Sequence, residues 1–338
     1  MADQTTTATN QLTNVATFTG EQVTGLTMSH DGRLFACFPR WRDRVLYSVV
    51  EVLRDGSYNP YPNDSWNHWK GHPQENKFTC VQSIIAYGNS LFVLDPASPE
   101  MKGVIGNPTL YEFDLNSDTL KNKWVFDRKV APEQSYLNDM RLDEELEKMY
   151  ITESGMGAII VLDLPTGVAN RLLDKHPSTK AEDVYLTIEG KKWLKDGKQP
   201  QMHADGIALS TDKEFLYYHA LTGYHLYRVP TEALINDDVD EAELAQQVED
   251  LGKTPAPDGM IVDLNGNLYM ADLENNAVMY RTPDGQFRTL VQDEQIKWAD
   301  TFTLDHQGNL LFTTSRIHEA VGDISEMEFH IFKVPLAR

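Results

Sequence analysis

Basic residues are scarce in this chain. Thirty Lys and Arg face 51 Asp and Glu, and the 338 residues carry a net charge of −21. That balance removes the basic footprint that nucleic acid or an anionic membrane surface needs, so neither is an expected partner. The surplus acid serves solubility or attracts cations and amines. Cysteine is almost absent: Cys37 and Cys80 cannot build a disulfide framework, and both fall on or beside expected inner strands as buried free thiols. No apolar run approaches the length of a membrane span. The start, MADQTTTATNQLT, has neither a basic n-region nor an apolar h-region, so no secretory leader is legible. There is no Gly-x-Ser-x-Gly elbow and no Walker-type loop, which counts against a serine esterase or a nucleotide hydrolase.

What the chain has is a repeated hairpin. In PDGMIVDLNGNLYMAD, Pro257–Asp272, an acidic turn leads into alternating apolar residues, an Asn-Gly turn and a second apolar run. Five further stretches echo it, beginning at Val23, Val81, Asn138, Ala204 and Ala299. Aligned on one column, the anchors are Thr24, Gln82, Asp139, Asp205, Asp258 and Asp300, at intervals of roughly 40–66 residues. Several short strands per unit at that period predict an all-β, six-bladed β-propeller spanning 14–338 as one domain. Residues 1–13 are polar and Thr-rich, and are expected to be a disordered or loosely attached tail. The strand expected at Val15–Thr19 would close the last blade beside Phe329–Val334 and remove its exposed edge. One short helix is expected between blades four and five. Asp240 is its cap, Glu243 holds the capping-box position, and apolar residues follow at helical spacing to Leu251.

In a propeller, the residue just before each innermost strand points to one mouth of the central channel. Four carboxylates converging there cannot all ionise without a counter-charge. Three outcomes are open: a hard cation, Ca²⁺ or Mg²⁺, raised pKa values suited to acid–base work, or an ammonium-bearing ligand. The competing explanation is that these Asp side chains accept backbone N–H groups as Asx-turns and only secure the blade turns. Asp258 and Asp205 are the candidate proton carriers or cation ligands. His203 is a candidate second base, with His219 on the same blade, although a structural role suits each histidine better. Thr24, Gln82, Asp139 and Asp300 complete the candidate ring. Arg316 is a candidate partner for the ring or for a ligand carboxylate, and Trp298 a candidate aromatic wall.

Beyond the repeat, RLFACFPRW at 33–41 and PYPNDSWN at 60–67 resemble the major royal jelly/Yellow protein family. SLFVLDPA at 90–97, AIIVLDLPTG at 158–167 and LYYHALTGYHLYRVPTEAL at 216–234 look like further family blocks, in family order. The resemblance covers nearly the whole chain and implies a six-bladed propeller. It implies a function among dopachrome-converting proteins, amine binders and a bacterial dopachrome-tautomerase-related branch. It also implies a secreted or periplasmic protein if a leader has been removed, and a cytoplasmic one otherwise. A more distant likeness is to the senescence-marker-protein/gluconolactonase propellers, at LNDMRLD (137–143), ADGIALS (204–210) and PDGMIVD (257–263). By that likeness Asn138, Asp205 and Asp258 would hold a divalent metal. The chain departs from the pattern at Thr24, where that family has a metal-binding Glu. The expectation is therefore a binder of a small organic molecule at the channel mouth, with three alternatives open: tautomerase-like chemistry, metal-dependent lactonase-like hydrolysis, or amine binding without catalysis. Ca²⁺ or Mg²⁺ would serve if any cofactor does, and no organic cofactor is expected.

Overall fold

The computed structural model describes residues 11–336. Six four-stranded sheets follow one another along the chain. Their innermost strands are Leu26–Met28, Ser83–Tyr87, Leu137–Asp143, Ala204–Leu209, Met260–Val262 and Ala299–Leu304. Each starts within two residues of an anchor, so the expected six-bladed propeller is the fold. The strand Thr13–Thr19 pairs antiparallel with Glu328–Pro335, Phe18 opposite Phe329, and completes the sixth blade. Residues 1–10 of the expected tail lie outside the described residues.

Each contact between neighbouring blades has its own apolar core. Phe18, Phe329 and Ile331 pack with Leu26 and Val50 between blades six and one. Phe35 and Val49 pack with Ile84 and Phe113 between blades one and two. Cys37 belongs to this second core, and both it and Cys80 are buried free thiols, as the sequence predicts.

The helix Glu241–Gln246 carries the expected capping box, with Asp240 accepting from the amides of Ala242 and Glu243. It lies within blade four, between the strands His225–Pro230 and Glu249–Lys253, and is shorter than its apolar spacing predicts. Val248 and Leu251 follow its end, and Leu251 belongs to the blade's outer strand. Two other short helices, Asp64–Asn67 and Thr231–Ile235, are present among the described residues. None of the described helices is long and apolar enough to cross a membrane. The insertion before blade four forms a small hairpin, Thr187–Ile188 with Lys191–Lys192.

Asx-turns secure the turns that join the first two strands of several blades. Asp263 accepts from the amides of Asn265 at 2.8 Å and Asn267 at 2.9 Å, and from the Tyr269 hydroxyl at 3.1 Å. Asp143 and Asp305 accept two backbone amides each in the same way. Asp263→Ala strands these donors and is expected to cost about 2 kcal/mol. A lower urea midpoint with an unchanged slope would show it.

At the channel, the strands approach closely because glycine follows three anchors. A Cβ on Gly206 would lie 2.5 Å from the Asp258 carbonyl oxygen, and one on Gly259 only 1.6 Å from that of Asp300. Gly25 is similarly crowded by the Cys37 sulfur, at 2.3 Å.

Candidate functional site

Innermost-strand pairing breaks at three anchors. The register shifts between Leu137 and Met140, between Ala204 and Gly206, and between Ala299 and Phe302. These bulges release Asn138, Asp139, Asp205 and Asp300 from the ladder and re-aim their side chains. Asp258 precedes its strand and needs no bulge. Gln82, Asn138, Asp205, Asp258 and Asp300 thereby form the floor of a cavity of about 410 Å³ at one mouth of the channel. Its walls include Trp41, Arg42, Trp193, Met202 and His318.

The Asx-turn explanation fails for the floor. No backbone N–H of the described residues donates to Asp205, Asp258 or Asp300. Asn138 Nδ2 donates to Asp205 Oδ1 at 2.6 Å, and the Trp298 indole donates to Asp258 Oδ2 at 2.6 Å. Burial pushes all three carboxyls well above the ordinary carboxylate range. Negative neighbours push them further: Asp300 and Asp139 act on Asp205, Asp205 on Asp258, and Asp258 on Asp300. Like charges this close in a desolvated site retain protons.

Asp139 differs from the other three. It accepts from the Ser83 hydroxyl at 2.7 Å and its own strand's Met140 amide at 2.9 Å, and pairs with Arg141 at 3.1 Å. Arg141 also donates to the Met260 carbonyl at 2.6 Å, bridging the channel from blade three to blade five. Asp139 faces the narrow channel and is not part of the cavity lining.

Several candidate residues lie elsewhere. Thr24 is buried beside Cys37, outside the cavity lining. His203 faces away: its Nδ1 accepts from the Ala181 amide at 2.9 Å and its Nε2 lies 3.2 Å from Lys180 Nζ. Burial and that ammonium lower its pKa to about 4, so it stays neutral in a structural position. His219 is fully buried, with Nδ1 2.6 Å from the Ala220 carbonyl. Arg316 pairs with Glu319 at 3.0 Å and with the Glu328 carbonyl at 2.8 Å, not with the ring.

Trp298 supports the wall from behind. It is fully buried, edge-on to Trp193 at 4.8 Å, and stacked on His318 at 5.7 Å. Trp193 and His318 form the surface it was expected to offer. His318 has an 8% exposed side chain, with Nε2 3.5 Å from Glu189 and 3.7 Å from Glu319. These three place potential ligand atoms within 4.8 Å of one another. Lys297 already supplies the counter-charge there, 3.2 Å from Glu189 and 3.3 Å from Glu319.

Trp41, Arg42, Trp193, Met202 and His318 escaped sequence reasoning because they lie on loops without periodicity. The one available signal was compositional: the aromatic and basic content of FPRWRDR, before the Ser48–Val52 run, and of the KKWLKD insertion.

The sequence profile described as major royal jelly protein matches residues 86–337. Major royal jelly protein 7 of Apis mellifera is 24% identical over 269 residues, covering 71% of this chain and 57% of that protein. A dopaminechrome tautomerase of Drosophila melanogaster is 21% identical over 234 residues, covering 62% and 48%. The chain thus spans about half the length of the curated relatives it matches. A gluconolactonase from Xanthomonas campestris superposes with a TM-score of 0.60 at 13% identity, over 97% of this chain and 90% of that one. At that identity the likeness is one of fold alone.

Proposed function

Since the chain belongs to the major royal jelly protein family, we propose that it binds a small cyclic or aromatic molecule at the channel mouth and moves a proton on it, as a tautomerase does. The observation that carries this reading is the Asp205–Asp258 pair, two interacting carboxyls on a cavity floor with pKa values held well above the ordinary range. Tautomerisation takes a proton from one ring position and returns one at another, with no oxidant or reductant. A pair that holds one proton between two carboxyls suits both halves: the ionised member accepts, the protonated member donates. The indole of Trp298 fixes one Asp258 oxygen and Asn138 fixes one Asp205 oxygen, which orients both. Trp41 and Trp193 give a planar ring apolar walls. The name of the Drosophila relative supports the same reaction class.

A second reading is a divalent-metal-dependent lactonase-like hydrolase. It is favoured by the convergence of Asn138, Asp205 and Asp258 on one floor, an all-oxygen donor set of the kind that suits Ca²⁺ or Mg²⁺. Asn138 uses its Nδ2 on Asp205 and keeps its Oδ1 as a donor. Thr24 offers no anionic ligand from blade one. A cation held by these three residues would polarise a substrate carbonyl.

Elemental analysis with thermal-shift titrations of Ca²⁺, Mg²⁺ and of indole and catechol compounds separates the two. Stabilisation and isomerisation of ring compounds in metal-free protein is the expected result. One metal per chain, with stabilisation that disappears in Asp205→Ala and Asp258→Ala, would favour the hydrolase. Saturable binding of catechol amines without any product would reduce the site to a carrier. No response to either class would sink both readings.

A further inference from the structure

We propose that Arg42 is the specificity residue of this cavity, and that it selects ring compounds bearing a carboxylate. This inference rests on the ring-compound reading above and names the substrate class within it.

Arg42 lines the same cavity as the acidic floor. Five arginines elsewhere in the chain meet carboxylates, Arg33, Arg141, Arg171, Arg228 and Arg316, while others such as Arg40 and Arg128 meet backbone carbonyls away from the cavity. Arg42 makes no ion pair with the described residues. Its guanidinium donates to the neutral amide oxygen of Gln22. Glu21 acts on it only from beyond ion-pair distance, and Glu100, which shares the cavity, is taken by Lys102 at 2.6 Å.

The guanidinium is also held in place. Gln22 is buried and fixed through its Nε2, which donates to the Ser315 carbonyl at 2.7 Å. The neighbouring Trp41 indole donates to the Tyr136 hydroxyl at 2.8 Å, and that hydroxyl donates to Gln82 Oε1 at 2.6 Å. A guanidinium carries five N–H donors in a rigid fork that matches a carboxylate bidentately. With one donor on Gln22, the others remain for a ligand.

The cavity is therefore polar from side to side. An anionic ligand is repelled by any ionised carboxyl of the floor. Of the two cations that line the cavity, Lys195 is exposed beside Asp196 and Arg42 is half-buried and fixed, so the ligand's carboxylate is favoured against Arg42. Its ring then extends over the Asp205–Asp258 pair. The same contact that selects the substrate sets which ring atoms meet the proton carriers.

Calorimetric titration of matched pairs tests this: indole-2-carboxylate against indole, and dihydroxyphenylalanine against dopamine. In the unmodified protein the carboxylated member is expected to bind about tenfold tighter or more, and to weaken with added salt. Arg42→Gln should bring each pair within about twofold, with the thermal midpoint retained, and Arg42→Lys should restore part of the preference. Equal binding of both members by the unmodified protein overturns the role of Arg42 and leaves the ring-compound reading intact. A preference that survives Arg42→Gln, or shows no salt dependence, overturns it as well. Binding of neither member overturns both proposals.

Discussion

Gly259→Ala is expected to yield no folded propeller. The added methyl would sit 1.6 Å from the Asp300 carbonyl oxygen and 2.7 Å from its carbonyl carbon. Both belong to the backbone of the adjacent inner strand, which cannot retreat without opening the ring of blades. Ordinary overpacking costs about 1–3 kcal/mol because side chains can shift, and here none is available to shift. Gly266→Ala is the control. That residue has φ +78 in a hairpin turn and meets only the Pro283 ring, at 3.3 Å, so about 1–2 kcal/mol of backbone strain is expected. Soluble yield, size-exclusion profile and circular dichroism compare the two. A Gly259→Ala protein that unfolds at the wild-type midpoint would show that the inner strands are not in contact there.

Asp258→Asn should act in opposite directions on function and stability. If Asp258 carries the proton as proposed, its removal is expected to lower turnover of ring compounds at least 100-fold. The same change should stabilise the ligand-free fold at neutral pH. Asp258 has its folded pKa raised above the unfolded value, by burial first and Asp205 second. Below the unfolded pKa both states are protonated and nothing is lost. As pH rises past it, the unfolded chain ionises first, and stability falls until the folded pKa is reached. The advantage of the Asn variant should thus be small near pH 4 and grow toward neutrality, on the order of 2 kcal/mol. Asn retains an oxygen for the Trp298 indole, which limits the structural cost. Thermal melts of both proteins between pH 4 and 8 check this. Destabilisation by Asn at pH 7.5 would mean that the carboxylate is paired with a cation in the native protein.

The fold was legible because its determinants are local. Alternating apolar residues, a short polar turn (Asp31-Gly32 in blade one, Asn265-Gly266 in blade five) and the anchor residue fall within each hairpin, so the six copies share one local pattern. The floor of the site was legible for the same reason, since Asp205, Asp258 and Asp300 occupy the anchor column itself. The walls were not. Trp193 comes from an insertion, and Trp41, Arg42 and His318 from connections whose path is set by tertiary packing. His203 shows how a small irregularity defeats strand logic. Two residues before Asp205 it should share that residue's face, but the shift between Ala204 and Gly206 re-aims Asp205, while His203 serves Ala181 and Lys180. Val248 and Leu251 satisfied a helical period, yet an outer strand was available at Glu249–Lys253 and took that stretch. Tertiary context overrode propensity there.

The pairing of Thr13–Thr19 with Glu328–Pro335 also sets an order of events on the ribosome. The first of these strands emerges roughly 300 residues before its partner, tens of seconds earlier at ordinary elongation rates. Until then the nascent chain carries an unpaired strand and an open edge on its growing stack of blades, each a template for another chain. Five blades can assemble as they appear, but the ring locks in a single late step. Closing the ring therefore depends on those two edges staying free of other chains until they meet.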